Sequence, residues 1–267
     1  MSEDTKPLLV ERDGRVVTLT WNRPQVLNAM NREGAQALLE ELLRIEHDET
    51  VGCVVLAGAG RAFMAGGDLE VMRAQLPDPR AAIKGLLDPF HAAIRLIERM
   101  PQPVVAMVQG HAAGAGASLA FAVDFVVAAQ SAAFTLSYAK VGTSPDGGAT
   151  YYLARLVGLR RALEIAMLAE PIPAPRAHEL GLVNRVVPDE QLQAETYALA
   201  RRLAEGPAHA QAVTKRLLRE SFDRQLPAQL DAEREGFLGC CITPDFAEGL
   251  QAFASKRAPK FGRRGRE

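Results

Sequence analysis

Cysteine is scarce. Cys53, Cys240 and Cys241 are the only three in 267 residues. An odd number without regular spacing offers neither a disulfide framework nor a zinc pattern, so no metal is expected. Cys53 lies in the apolar run GCVVLAG and reads as core. Net charge is also nearly absent: 31 Lys and Arg stand against 32 Asp and Glu. No long basic stripe runs through the body, which makes nucleic acid a poor expectation as a partner. There is no run of about 18 apolar residues, so nothing reads as spanning a membrane. The opening MSEDTKPLL is polar and acidic and lacks an apolar signal segment; the cytoplasm is the expected compartment. Only the final KRAPKFGRRGRE is locally basic. It reads as a solvated tail or, more pointedly, as a phosphate contact.

What is present is a globular composition, with 48% apolar and 24% charged residues. The length suits one large domain, or a core with an appendage. LLVERDGRVVTLTWN reads as a hairpin about Asp13-Gly14. Asn31 is placed to cap a helix to about Asp48, with Ala35, Leu38, Leu39, Leu42 and Ile45 at helical spacing. CVVLAG, PVVAMVQG and DFVVAA read as buried strands and AAFTLSY as a short fourth. A helix is expected from about Pro79 to Arg99. From Gly147 onward helices dominate, with VNRVV a small strand. Breaks fall at Gly206-Pro207, Pro227 and Pro244. The order implies an α/β core followed by a helical region.

Two strands run into glycine-rich loops, LAGAGRAFMAGGDLE and VQGHAAGAGASLA. Gly and Ala leave backbone N–H groups open to a ligand oxygen, and a helix start adds partial positive charge. Side by side, such loops can aim two N–H groups at one oxygen, an oxyanion hole. The plainer reading is two tight turns where helix packs on strand. A dinucleotide fingerprint fails at Leu119, where a third glycine is required. A nucleophile elbow fails at Ala120, and neither loop carries the lysine of a phosphate loop.

Five segments in order, NRPQVLNAM, AFMAGGDL, GHAAGAGASLA, VGTSPDGG and AFASKRAPKF, resemble the crotonase superfamily of enoyl-CoA hydratases and isomerases. The resemblance covers about Val10 to Phe261. It implies a spiral of β-β-α units over residues 1–200, holding CoA and acyl sites. It also implies a helical trimerisation region over residues 201–267, in a homotrimer or a dimer of trimers. The substrate would be an acyl-CoA thioester, with no cofactor beyond the coenzyme A it carries. The oxyanion donors would be the N–H groups of Gly67 and Ala115. The adenine end of CoA would lie near Arg61 and Ala65. Lys256 aligns with a family lysine that contacts CoA phosphate. Glu70 stands where many relatives have a CoA-binding lysine, a departure from the pattern.

Hydratases of the family use two glutamates, and here those positions are Ser118 and Tyr138. Neither is a carboxylate, and hydration relies on a pair of acids to position water and deliver its proton. One acid remains, Asp146, between Pro145 and Gly147-Gly148. The surrounding stretch resembles phenylacetate-pathway enoyl-CoA isomerases. A lone base suits moving a double bond: it takes a proton from C2 and returns it at C4. Asp146 as a helix cap is the plain alternative. Tyr151, Tyr152 and Phe134 are candidate apolar walls around it, Tyr138 and Ser118 candidates for the acyl pocket. Asp68 is a further candidate substrate contact, though a cap or loop tie is its simpler reading. His111 and Asp124 read as structural. The expected activity is an enoyl-CoA isomerase; a hydratase and an inactive acyl-CoA-binding protein are the alternatives.

Overall fold

The computed structural model describes residues 6–262. Residues 1–5 and 263–267, the start of the acidic opening and the end of the basic tail, lie outside the described residues. The chain begins with the expected hairpin, β1 (Leu8–Asp13) and β2 (Val16–Trp21). Asp13 pairs with Val16, so the turn itself is Gly14-Arg15, one residue later than the sequence suggested. Asn31 caps α1 (Arg32–Glu46), accepting the Gly34 N–H at 3.0 Å. Ala35, Leu38, Leu42 and Ile45 form its buried face.

Next come β3 (Cys53–Gly58), α2 (Leu69–Arg73), α3 (Arg80–Arg99), β4 (Val104–Val108), β5 (His111–Ala113), α4 (Ala115–Ala122), β6 (Phe125–Ala129) and β7 (Ala133–Thr135). Then follow α5 (Ala149–Val157), α6 (Leu159–Leu168), β8 (Ile172–Pro173), α7 (Ala174–Glu179), β9 (Arg185–Val187) and α8 (Leu192–Ala204). The larger sheet has the order β1-β2-β3-β4-β6-β9, parallel except for the hairpin. The smaller has the order β5-β7-β8, and a bridge from Met64 to Ala112 extends it. Successive turns of the chain therefore give one strand to each sheet: β4 then β5, β6 then β7. This is the expected β-β-α spiral. The strands of the larger sheet read as apolar runs because its central members are buried, Val54, Val55, Val104 and Val105 completely.

Helix α8 lies on the larger sheet with Leu192, Leu199, Ala200 and Ala204 buried. Gly52 makes this close packing possible, since a Cβ there would come 2.7 Å from the Ala204 Cα. The core thus continues past residue 200 to Ala204 before the chain breaks at Gly206-Pro207. The rest is α9 (Ala208–Glu220), α10 (Leu226–Cys241) and α11 (Pro244–Ala254). Among the described residues no helix is long and apolar enough to cross a membrane.

Candidate active site

The two glycine loops meet. The Met64 N–H donates to the His111 carbonyl at 3.1 Å, and the Ala113 N–H returns a bond to the Met64 carbonyl at 2.8 Å. Glycine is required at this contact. A Cβ at Gly116 would sit 2.2 Å from the Met64 carbonyl oxygen, and Gly66 has a φ of +103° with the Ala113 oxygen 3.0 Å from where its Cβ would be. On the outer side, Met30 bonds to the residues flanking Gly67: its N–H donates to the Gly66 carbonyl at 2.7 Å, and its carbonyl accepts from Asp68 at 2.9 Å. The Gly67 amide is skipped. Ala115 opens α4, so its N–H has no partner within the helix. Among the described residues neither N–H donates to a protein acceptor. All eight residues of α4 are buried, which puts the positive end of its dipole in a low-dielectric setting.

Asp146 does not cap α5. The capping position is Gly148, without any side-chain hydrogen bond. The Asp146 carboxylate accepts instead from the Tyr138 hydroxyl at 2.6 Å. The Tyr138 oxygen lies 2.8 Å from Ser118 Oγ, which is also 3.1 Å from the Gly114 carbonyl. Ser118 is completely buried and Tyr138 is 8% exposed, while Asp146 is half-buried. Burial, reinforced by the Asp146 charge, pushes the Tyr138 phenol above its ordinary range. It therefore stays a neutral hydroxyl and donor. The corner is fixed from α3 as well: the Gly147 N–H points to His91 Nε2 at 3.3 Å. A Cβ on Gly147 would meet the Phe90 ring at 2.7 Å. His91 and Phe90 gave no signal in the sequence, being ordinary members of an amphipathic helix.

Ser118, Tyr138 and Asp146 are thus one chain of hydrogen bonds beginning in the first turn of α4. Their separations of 20 and 8 residues leave no local pattern that joins them. The suggested walls are distributed differently. Phe134 is completely buried and stacks on Phe121 at 6.0 Å. The Tyr152 ring backs Gly148, but its hydroxyl bonds to Glu98. Tyr151 and Tyr152 line a separate cavity of ≈ 550 Å³ beneath α9, and Phe90 takes the place beside the acid.

The remaining candidates are spread out. Asp68 pairs with Arg23 at 3.0 Å and caps α2 through the Val71 N–H at 3.5 Å. Ala65 is half-buried and its N–H donates to the Leu27 carbonyl at 3.0 Å. Arg61 is exposed in the first loop, and Lys256 is exposed just past α11 with a φ of +51°. Glu70 pairs with Arg73 at 2.6 Å on the surface.

Two strand-to-helix loops pressed together, with two unpaired amides and a carboxylate nearby, define a site suited to holding an oxyanion in a spiral α/β fold. The family model described as enoyl-CoA hydratase/isomerase matches residues 11–264. The chain is 39% identical over 247 residues to the 1,2-epoxyphenylacetyl-CoA isomerase of Escherichia coli (strain K12), spanning 92% of this chain and 94% of that one. It is 40% identical over 248 residues to a protein of Rhodobacter capsulatus described as a probable enoyl-CoA hydratase, with the same shares covered. Its fold superposes on the crystal structure of an enoyl-CoA hydratase from Polaromonas sp. JS666 with a TM-score of 0.91 and 37% identity, covering 95% and 99% of the two chains. The chain belongs to the enoyl-CoA hydratase/isomerase family.

Proposed function

We propose that the chain shifts the double bond of an enoyl-CoA thioester, with Asp146 as its only base. The observation that supports this most is the fate of the two hydratase positions. They hold Ser118 and Tyr138, whose hydroxyls bond to one another, with Tyr138 bonding on to Asp146, so that one carboxylate is left at the corner. In the reaction the C2–H bond breaks and the proton passes to Asp146. The electron pair delocalises through the thioester carbonyl, forming a dienolate. The Gly67 and Ala115 N–H groups hold the charged oxygen; a single donor of this kind contributes about 3 kcal/mol. Asp146 then returns the proton at C4, and the double bond is conjugated with the carbonyl. Arg61 and Ala65 hold the adenine end of the CoA, and Lys256 its phosphate.

A hydratase is the second reading, favoured by the descriptions of the Rhodobacter and Polaromonas relatives. The two differ by product: isomerisation leaves the mass unchanged, and hydration adds one water. The isomerase of Escherichia coli makes ring-bearing CoA thioesters worth testing beside linear 2-enoyl and 3-enoyl ones. Asp146→Asn keeps shape while removing the base. It is expected to lower 3-enoyl-CoA isomerisation by at least about a hundredfold, the lower end of the range for general base catalysis. In the same assay Lys256→Ala should raise KM with kcat unchanged. A wild-type rate in Asp146→Asn would remove Asp146 from the mechanism.

A further inference from the structure

Tyr138 and Ser118 have no proton to transfer in the reaction above, yet their hydroxyls form an unbranched path from the base to the peptide group of an oxyanion donor. The links are 2.6 Å from Tyr138 to Asp146, 2.8 Å between Tyr138 and Ser118, and 3.1 Å from Ser118 to the Gly114 carbonyl. The Gly114 carbonyl and the Ala115 N–H are two ends of one peptide bond. A hydrogen bond to the carbonyl oxygen draws electron density from the amide and makes its N–H a stronger donor.

The path has three links and only two hydroxyl hydrogens. When Asp146 is ionised its carboxylate can only accept. Tyr138 donates to it in a charge-assisted bond, the stronger kind. Ser118 donates to Tyr138, and the Gly114 carbonyl keeps just its helical bond from the Ser118 N–H at 3.0 Å. Once Asp146 has taken a proton, the charge holding the Tyr138 hydrogen is gone. Tyr138 turns its hydrogen to Ser118, and Ser118 turns its own to Gly114. The carboxyl O–H, by rotating about Cβ–Cγ, donates to the vacated Tyr138 oxygen. Three hydrogens then fill three links, with the same heavy-atom positions.

We infer that Tyr138 and Ser118 are positioning residues that couple the protonation of Asp146 to the donor strength of the Ala115 N–H. The inference rests on the isomerase reading, with Asp146 as base and Ala115 at the thioester oxygen. In one turnover the C2–H bond breaks, its electron pair enters the dienolate, and its proton becomes the Asp146 O–H. The path reverses, and the oxyanion meets a strengthened amide while it carries charge. When Asp146 gives the proton to C4 the path turns back. The two hydroxyls only rotate; neither loses its hydrogen. A single base with no partner acid thereby gains a means of tightening the enolate site when the enolate is present.

The test uses the purified full-length chain, 3-enoyl-CoA, and the variants Ser118→Ala, Ser118→Cys, Tyr138→Phe and the double Ser118→Ala/Tyr138→Phe. Ser118→Ala and Tyr138→Phe should each lower kcat on the order of tenfold, less than deleting an oxyanion donor outright, with KM within twofold. The double variant should be no slower than the slower single one, because residues acting as one unit are not additive. Ser118→Cys, a weaker donor of similar size, should fall between serine and alanine. Melting temperatures identify any variant that has simply lost its fold, and the cysteine and phenylalanine variants change volume little. A double variant that loses the product of the two single effects overturns the coupling. So does a wild-type kcat in Ser118→Ala, or a change confined to KM. If these fail while Asp146→Asn is inactive, the base assignment stands and the coupling alone falls. An active Asp146→Asn removes both.

Discussion

Tyr138 shows how burial changes what a single residue can do. As an exposed phenol it would ionise near 10; packed away beside a carboxylate, it stays neutral well beyond that. Tyr152 behaves alike, through burial and its bond to Glu98, and burial pushes the Cys53 thiol from 9.0 up to about 12. All three hold their protons longer in the folded chain than in the unfolded one. Their contribution to stability is complete below the unfolded values and is lost as pH climbs above them. Lys215 acts in the opposite sense, its pKa pushed down by burial, but only below its ordinary 10.5. Stability measured by urea denaturation should therefore fall steadily above about pH 10.5, and Tyr138→Phe with Tyr152→Phe should flatten that slope. An unchanged slope in the double variant would contradict the burial argument. At this scale the sequence drew attention to Asp146 in its tight corner, and the family resemblance to Gly67 and Ala115. It was silent on the bond that ties Asp146 to Tyr138, because the partners are eight positions apart across an irregular corner with no period to read.

At the scale of elements, α9 is pinned to the core through charge. Asp124, just before β6, accepts from Lys215 at 2.8 Å, from Arg219 at 2.7 Å, and from the Val104 N–H at 2.9 Å. Arg219 also bonds to Glu98 and to the Ala122 carbonyl. The side chains of Asp124, Lys215 and Arg219 are 12%, 10% and 17% exposed, so water screens them little. Removing one member strands the others, which typically costs about 3–5 kcal/mol. Asp124→Ala should lose that much in denaturant titration and should speed hydrogen exchange in α9 and at the start of β4. A loss under about 1 kcal/mol, the level of an exposed pair, would mean the pin is superficial. The structural reading of Asp124 from sequence agrees with this placement, though its partners, nearly a hundred residues away, had no local signature. Helices and buried strands were largely legible, since apolar spacing and caps are local properties. The strands β5 and β8, of three and two residues, were not: they are strands only through what they pair with.

At the scale of the molecule, the fold leaves large apolar side chains uncovered. On α10, α11 and the turn between them, Phe237 is 66% exposed, Ile242 88% and Phe253 87%. Leu226, Leu230, Leu238 and Leu250 add to the same two helices. Large apolar side chains left uncovered, where they adjoin, mark interaction surfaces. The homotrimer that the family resemblance implies is one assembly that would cover them. Sedimentation velocity at micromolar concentration should give the mass of three 28.8 kDa chains, or of six. Phe253→Glu with Ile242→Glu should lower it. A wild-type chain sedimenting as a monomer would refute the trimer.

Local chemistry was enough to determine most of the elements, while the candidate site came from the family resemblance. Helical spacing marked α1 and α3, apolar runs marked the central strands, and two of those strands run into glycine-rich loops. These follow from covalent neighbours and from side-chain type, so they can be read along the chain. Tertiary packing alone decided which hydroxyl meets Asp146, that Asp68 pairs with Arg23, and that α8 belongs to the core. Each of those depends on a distance between residues far apart in sequence, and such distances exist only once the spiral has closed and water has left its interior.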